Sequence, residues 1–127
     1  MNESDATDTL ANVAVLRGAV RGEPVTRVLP SGGVVVQFDV STTVRSRGTV
    51  STTSVPVAWP DPSSTSMACL ADGNELVVVG TVQRRFFRVG GATQSRTEVV
   101  AESVIPARRR KQVEAALDAV LDRLCPL

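Results

Sequence analysis

Histidine and tyrosine are absent from this 127-residue chain, and lysine occurs once, at Lys111. Without histidine the commonest general base and a frequent metal ligand are both missing. Cys69 and Cys125 stand far apart, without the close spacing of a zinc-binding pair, so a reducing compartment with both thiols free is expected. The paired glycines at 32–33 and 90–91 are followed by neither a Lys-Ser/Thr pair nor a helix start, which excludes the usual phosphate loop. Scattered carboxylates form no acid–base pair. The expectation is therefore a protein that is not an enzyme, with no cofactor, no metal and no small-molecule substrate. No apolar run is long enough to span a membrane, and the polar, acidic first ten residues do not read as a signal peptide, so a cytoplasmic location is expected. Aromatics are few, one Trp and three Phe, so aliphatic side chains must fill any core.

What is abundant is valine, at 23 positions, which with the many threonines favours strands. Five stretches rich in β-branched residues fall at 12–20, 33–43, 49–59, 75–89 and 96–105, with one short helix-like segment at 63–71 between the third and fourth. That order is the one a five-stranded OB barrel requires. The fold class expected is mainly β: an OB-fold barrel with a short internal helix and a C-terminal amphipathic helix. The domain reading is a disordered acidic tail at 1–11, a barrel at 12–106 and a helical segment at 107–127.

Alternation assigns faces. In the first strand Ala14, Leu16 and Gly18 should face the barrel interior, leaving Val13, Val15 and Arg17 outside. Two outward valines suggest a subunit contact rather than bare solvent. Gly22-Glu23-Pro24 reads as a turn. Val34, Val36, Phe38 and Val40 should be core. Arg45-Ser46-Arg47-Gly48 reads as a basic hairpin loop. Pro56 places the third strand on an edge or at a bulge, and Gly80 suggests a bend in the fourth. Gly90-Gly91 should join the last two strands as a hairpin. Beyond Pro106, Val113, Leu117, Val120 and Leu124 recur at helical spacing, with Leu121 beside them and Glu114, Asp118, Asp122 and Arg123 on the other side. A packing or dimerisation helix fits this better than a membrane-surface one, since its acidic side does not suit anionic lipid.

Charge is unevenly spread. Residues 12–112 carry 13 basic and 7 acidic side chains, whereas both ends are acidic, and 13 of the 14 basic residues are Arg. Arginine suits planar recognition of phosphate and stacking on bases, although an Arg-rich codon bias explains the same preference. In the run Gln83-Arg84-Arg85-Phe86-Phe87-Arg88, alternation sets Arg85 with Phe87 on one face and Arg84, Phe86 and Arg88 on the other. One phenylalanine is expected to enter the core or cover the hairpin, and the other to offer a ring to a base. Trp59, flanked by Ala58 and Pro60 at a strand end, is either a partly exposed stacking ring or a residue of the barrel rim. Arg108, Arg109, Arg110 and Lys111 form a basic block at the start of the helix, poorly placed against its dipole and so slightly suggestive of an anionic partner.

Several motifs together resemble the bacterial single-stranded DNA-binding protein family. They are N-V-A-V-L-R-G at 12–18, E-P-V-T-R at 23–27, P-S-G-G at 30–33, D-G-N-E-L-V-V-V-G at 72–80 and R-T-E-V-V-A at 96–101. The likeness covers about residues 12–106. It implies an OB fold, a homo-oligomer (dimer or tetramer), a nucleoid-associated cytoplasmic protein, and sequence-tolerant binding of single-stranded DNA in replication, repair or recombination. Trp59 and Phe87 match the family's stacking positions, and Arg27, Arg84 and Arg85 fall on or beside its basic ones. With Arg17, Arg45, Arg47 and Arg88 these residues make up the expected ssDNA-binding set. Small polar residues around Ser46 and Thr53 replace two further aromatics, and the acidic Pro-Phe tail of the family has no counterpart, as in a divergent or accessory member. A second reading remains open: an OB-fold protein-interaction or structural module that has lost most DNA binding.

Overall fold

The computed structural model describes residues 10–126; nearly all of the expected disordered tail lies outside the described residues. Five strands, β1 (Ala14–Val28), β2 (Val34–Ser46), β3 (Thr49–Pro60), β4 (Glu75–Val89) and β5 (Ala92–Pro106), close into a barrel in the order β1-β2-β3-β5-β4. Helix α1 (Ser64–Met67) lies between β3 and β4, and α2 (Arg110–Leu124) follows β5. This is the OB fold. All neighbours are antiparallel except β3 and β5, which meet in parallel at Val57↔Val99 and Ala58↔Val100.

That parallel contact fixes the polarity of the molecule. It puts the N-terminal ends of β3 and β5 at the same end of the barrel. The β2–β3 and β4–β5 hairpins therefore project from one end as two arms. The β1–β2 turn and α1 lie at the opposite end. Each arm closes through two left-handed residues, Arg47 and Gly48 in one and Gly90 and Gly91 in the other. Paired positive φ angles of this kind match the twist of a two-residue hairpin.

The core is aliphatic, as the shortage of rings requires. Val20, Val36, Phe38, Val40, Val57, Leu76, Val78, Val99 and Ala101 fill the interior, with Ala14 and Leu16 packed against them. Leu70, Met67 and Cys69 close the far end. Ser63 caps α1 by accepting a hydrogen bond from the Ser66 N–H at 3.1 Å. Gly80 sits at a register shift in β4, where a Cβ would run into the carbonyl oxygen of Val100. The shift leaves Glu102 without a partner on β4, and its carboxylate accepts from Arg123 of α2 at 2.8 Å.

Three local expectations need correction. Gly22-Glu23-Pro24 does not reverse the chain; it forms a bulge inside β1, between Arg21 and Val25, with the Gly22 N–H donating to Asp72 Oδ1 at 2.7 Å. A strand absorbs the extra residues because Gly22 takes φ +75° there. Val13 needs no second subunit to cover it: it packs with Val77 and Val79 beneath Val113, Ala116 and Val120 of α2. Lastly, Leu117, Leu121 and Leu124 are not on the buried face of that helix and remain exposed. The buried face follows Val113, Ala116 and Val120, because the small Ala116 lets the helix approach the sheet.

Candidate nucleic-acid interface

Register decides which side chains of the arms face one another's side of the barrel mouth. Directly opposed residues of an antiparallel pair share a face. On the first arm Val40↔Val55 belongs to the interior, so Thr42↔Thr53, Val44↔Ser51 and Ser46↔Thr49 continue the inward face. On the second, Val99 is core, so Val82↔Val99, Arg84↔Thr97, Phe86↔Ser95 and Arg88↔Thr93 do likewise. The inward face of both arms thus holds two guanidinium groups, one ring and a set of hydroxyls. No carboxylate occupies an inward position on either arm.

The outward face is different. It carries Gln83↔Glu98, Arg85↔Arg96 and Phe87↔Gln94. Arg85 Nε lies 3.6 Å from Glu98 Oε1, and Arg96 Nη2 lies 3.7 Å from Asp39 Oδ1. Glu98 is only 6% exposed, and Arg85 is the cation that faces it. The Arg85 guanidinium carbon stands 5.8 Å from the centre of the Phe87 ring, within cation–π range. Two positive and two negative groups therefore cancel on this side. The alternation of charge along β4 and β5 gives one arm a cationic face and a neutral one.

The nine residues expected to bind ssDNA are divided by this geometry. Arg84 and Arg88 lie on the inward face, and among the described residues no carboxylate stands within 4 Å of either. Arg47 occupies the turn of the first arm and Arg45 its outward face, both exposed. Arg85 and Phe87 pair with each other on the outward face, as their spacing predicts. Arg17 and Arg27 are not brought to the arms. Arg17 is engaged with Glu75 at 3.2 Å, and Arg27 Nε donates to Gln37 Oε1 at 2.6 Å near the opposite end.

Trp59 is a correction. Trp59 is 8% exposed and belongs to the core cluster with Val36 and Leu70, and what remains open of it lines a surface pocket beside Ser66, Val104 and Arg109, away from the arms. β3 places it in phase with Val57 and Val55, which are interior positions. At the far end of the barrel it fills volume that aliphatic side chains alone leave open. Neither Phe86 nor Phe87 joins the core cluster; of the two, Phe87 is the half-buried ring, set against Arg85 on the hairpin. Phe86 is 65% exposed, the ring most open to solvent among those described, and it stands between Arg84 and Arg88 on the inward face. Sequence reasoning placed it beside these arginines but assigned the stacking role to Phe87. The run of Arg at i−2 and i+2 was the signal available.

The second arm is anchored at its base. Asn12 Nδ2 donates to the Val82 carbonyl at 2.8 Å, and the Val82 N–H donates to Asn12 Oδ1 at 2.9 Å. The amide side chain thus stands in for a strand partner at the point where β4 leaves β1.

At the far end burial pushes the Cys69 thiol pKa up, against the opposing effects of its backbone hydrogen bond and of Arg109 and Arg108. The thiol is partly buried and packs against the core cluster. Among the described residues no cluster of three potential metal ligands occurs, and no helix is long and apolar enough to cross a membrane.

No protein-family model and no curated protein matches the chain. Solved structures do: a chain of the Plasmodium falciparum SSB complex with ssDNA superposes with a TM-score of 0.64 at 23% identity, over 83% of this chain and 97% of that one. The likeness extends over nearly all of the compared chain, and what the two share is the five-stranded OB barrel.

Proposed function

We propose that this protein binds single-stranded nucleic acid, DNA in the first place, in the cleft between its two arms, with no preference for sequence. The observation that carries the proposal is the inward face of the β4–β5 arm, where Phe86 stands between Arg84 and Arg88 and no carboxylate competes. A ring stacks on any base and guanidinium groups neutralise phosphate, so the pair recognises unpaired strands without reading them. The hydroxyls of Thr42, Thr53, Ser51 and Ser46 on the other arm supply hydrogen bonds to sugar and phosphate. Arg45 and Arg47 extend the positive charge to the first tip. The bound strand of the structural neighbour supports the same reading by analogy of fold.

On this reading Arg85, Phe87 and Glu98 act together to hold the arm in shape, and Trp59 is structural. Work in replication, repair or recombination, beside the nucleoid, would follow from such binding. The test is a salt titration of the full chain against labelled oligo(dT), with duplex and RNA competitors. Binding should be retained against duplex and weaken steeply with salt, by a log–log slope of about −0.7 for each phosphate neutralised. No binding at low salt refutes the proposal. Trp59 fluorescence is a poor reporter, because a buried ring at the far end senses the strand little.

The alternative, a scaffold module, draws on one observation: the exposed leucines of α2. Removing the helix is an unsuitable way to separate the readings, since it uncovers Val13, Val77 and Val79. Surface substitutions on α2 leave that cluster in place.

A further inference from the structure

A furrow leaves the cleft on one side. β1 pairs with β4 through Ala14–Ala19 but with β2 only from Ala19 onward, so Arg17 and Gly18 have no partner on β2, and Thr42 and Thr43 have none on β1. The strands part here, and the cleft is open at this point. A hollow lies between these four residues and takes in Ser41 and Glu75. A second hollow begins at the same Arg17 and Glu75 and runs to Cys69, Asn74 and Arg108. A third shares Cys69, Asn74 and Arg108 with the second and ends at Ser66 and Arg109. Shared walls join the three into one channel, from the base of the cleft along the barrel to the residues that lead into α2.

Charge along the furrow is uneven. Its one carboxylate among the described residues is Glu75, held by Arg17 at 3.2 Å, which leaves that stretch neutral. Arg108 and Arg109 are exposed, and among the described residues neither has a carboxylate within 4 Å. Both oppose the upward pKa shift of Cys69 in the floor, so the two positive charges bear on the same stretch. Hydroxyls stand at the entrance, on Ser41, Thr42 and Thr43, and at the end, on Ser66. Groups of this kind contact phosphate and sugar without reading bases. No aromatic ring lines the three hollows, so the furrow offers charge and hydrogen bonds but no stacking. Arg108 and Arg109 also lie beyond the region that resembles the single-stranded DNA-binding family.

We infer that a single strand too long for the cleft continues along this furrow, with its phosphates against Arg108 and Arg109. The inference rests on the cleft reading above, because the furrow opens from the cleft and takes the same sugar–phosphate chain. Strand length is then the variable that reveals it. A short strand fills the cleft alone, and a long one gains two further neutralised phosphates.

The test compares two labelled oligo(dT) strands on the full chain, one of about 8 nucleotides and one of about 30, since an OB fold covers roughly 4–16. Arg108→Gln and Arg109→Gln together should lower the magnitude of the salt slope on the long strand by about 1.4, at about 0.7 for each phosphate released. Affinity for the long strand at moderate salt should fall several-fold. The slope on the short strand and the melting temperature should not change, as both side chains are exposed. Arg123→Gln removes one charge roughly 20 Å farther along α2 and should leave the long-strand slope as it is. A double variant that keeps the parent's slope on the long strand overturns the inference. So does one that loses as much on the short strand. A fall of about 0.7 in Arg123→Gln overturns it too, because net charge alone then accounts for the effect. Failure of the cleft reading is a separate result, in which the parent binds neither strand at low salt, and the furrow then falls with it.

Discussion

Replacing Phe86 with alanine separates binding from folding more cleanly than any other change in the arm. The ring is 65% exposed and its neighbours across the strand are Ser95 and solvent. Fully burying a phenylalanine is worth about 1.5–3 kcal/mol, so the third of the ring that is covered contributes roughly 0.5–1 kcal/mol to stability. The melting temperature should therefore fall by only a few degrees. Loss of a stacking platform costs about 1–3 kcal/mol per base, which is about 5- to 150-fold in affinity. Fluorescence anisotropy with oligo(dT) at fixed moderate salt reads that loss directly. Phe87→Ala is the internal control: it removes the cation–π partner of Arg85 on the neutral face and should cost less in affinity than Phe86→Ala. If Phe86→Ala binds as the parent does while Phe87→Ala is impaired, the strand lies on the outward face and the cleft is not the site. If both bind normally and Arg84→Gln does not, stacking is not part of the mechanism.

Arg84→Gln and Arg88→Gln should each lower the magnitude of the salt slope by about 0.7 and weaken binding to all sequences alike, measured by titration from low to moderate salt. Arg17→Gln, already engaged with Glu75, should leave the slope unchanged. Arg85→Met strands the buried Glu98 carboxylate, and chemical denaturation should register a loss of about 1–3 kcal/mol; adding Glu98→Gln to the same chain should recover part of it. Cys69 provides a pH signature. Because burial raises its folded pKa, the stabilisation from its neutral form is complete below the ordinary thiol range and is lost as the pH rises through the folded value. Urea midpoints measured from neutral to strongly alkaline pH should fall in the parent, and less so in Cys69→Ala.

Much of the barrel was legible because its signals are local and periodic. Val36, Phe38 and Val40 are buried and alternate with half-buried Val35, Gln37 and Asp39, and Val34 packs against the same core. Gly90-Gly91 could only be a tight reversal, and Gly80, read as a bend, stands at a register shift where it touches the Val100 backbone. The bulge at Gly22 was not legible, because Gly, Glu and Pro serve a turn and a bulge equally well; the choice is made by Asp72, fifty residues away, which accepts the Gly22 N–H. The two faces of the arm could be read from spacing, but not which face would be neutral. That depends on Asp39 and Glu98, contributed by other strands to meet Arg96 and Arg85. Trp59 was ambiguous for a related reason: a ring between small residue and proline at a strand end becomes core only if α1 folds over it. The helix was predicted with the right period and the wrong buried stripe, since Ala116 is an unassuming residue until close packing with the sheet gives it weight.

The parallel junction of β3 and β5 has a mechanical meaning. Only two rungs stitch these strands, whereas the hairpins on either side are laddered along their whole length. Each hairpin is thus a stiff lever, and the levers share a narrow pivot. A change of gape there would leave the ladders within each lever intact, with β1, paired to both β2 and β4, holding the other side of the barrel closed. If the proposed function holds, strands of purines and of pyrimidines, which differ in bulk, should bind the same pair of jaws with similar affinity.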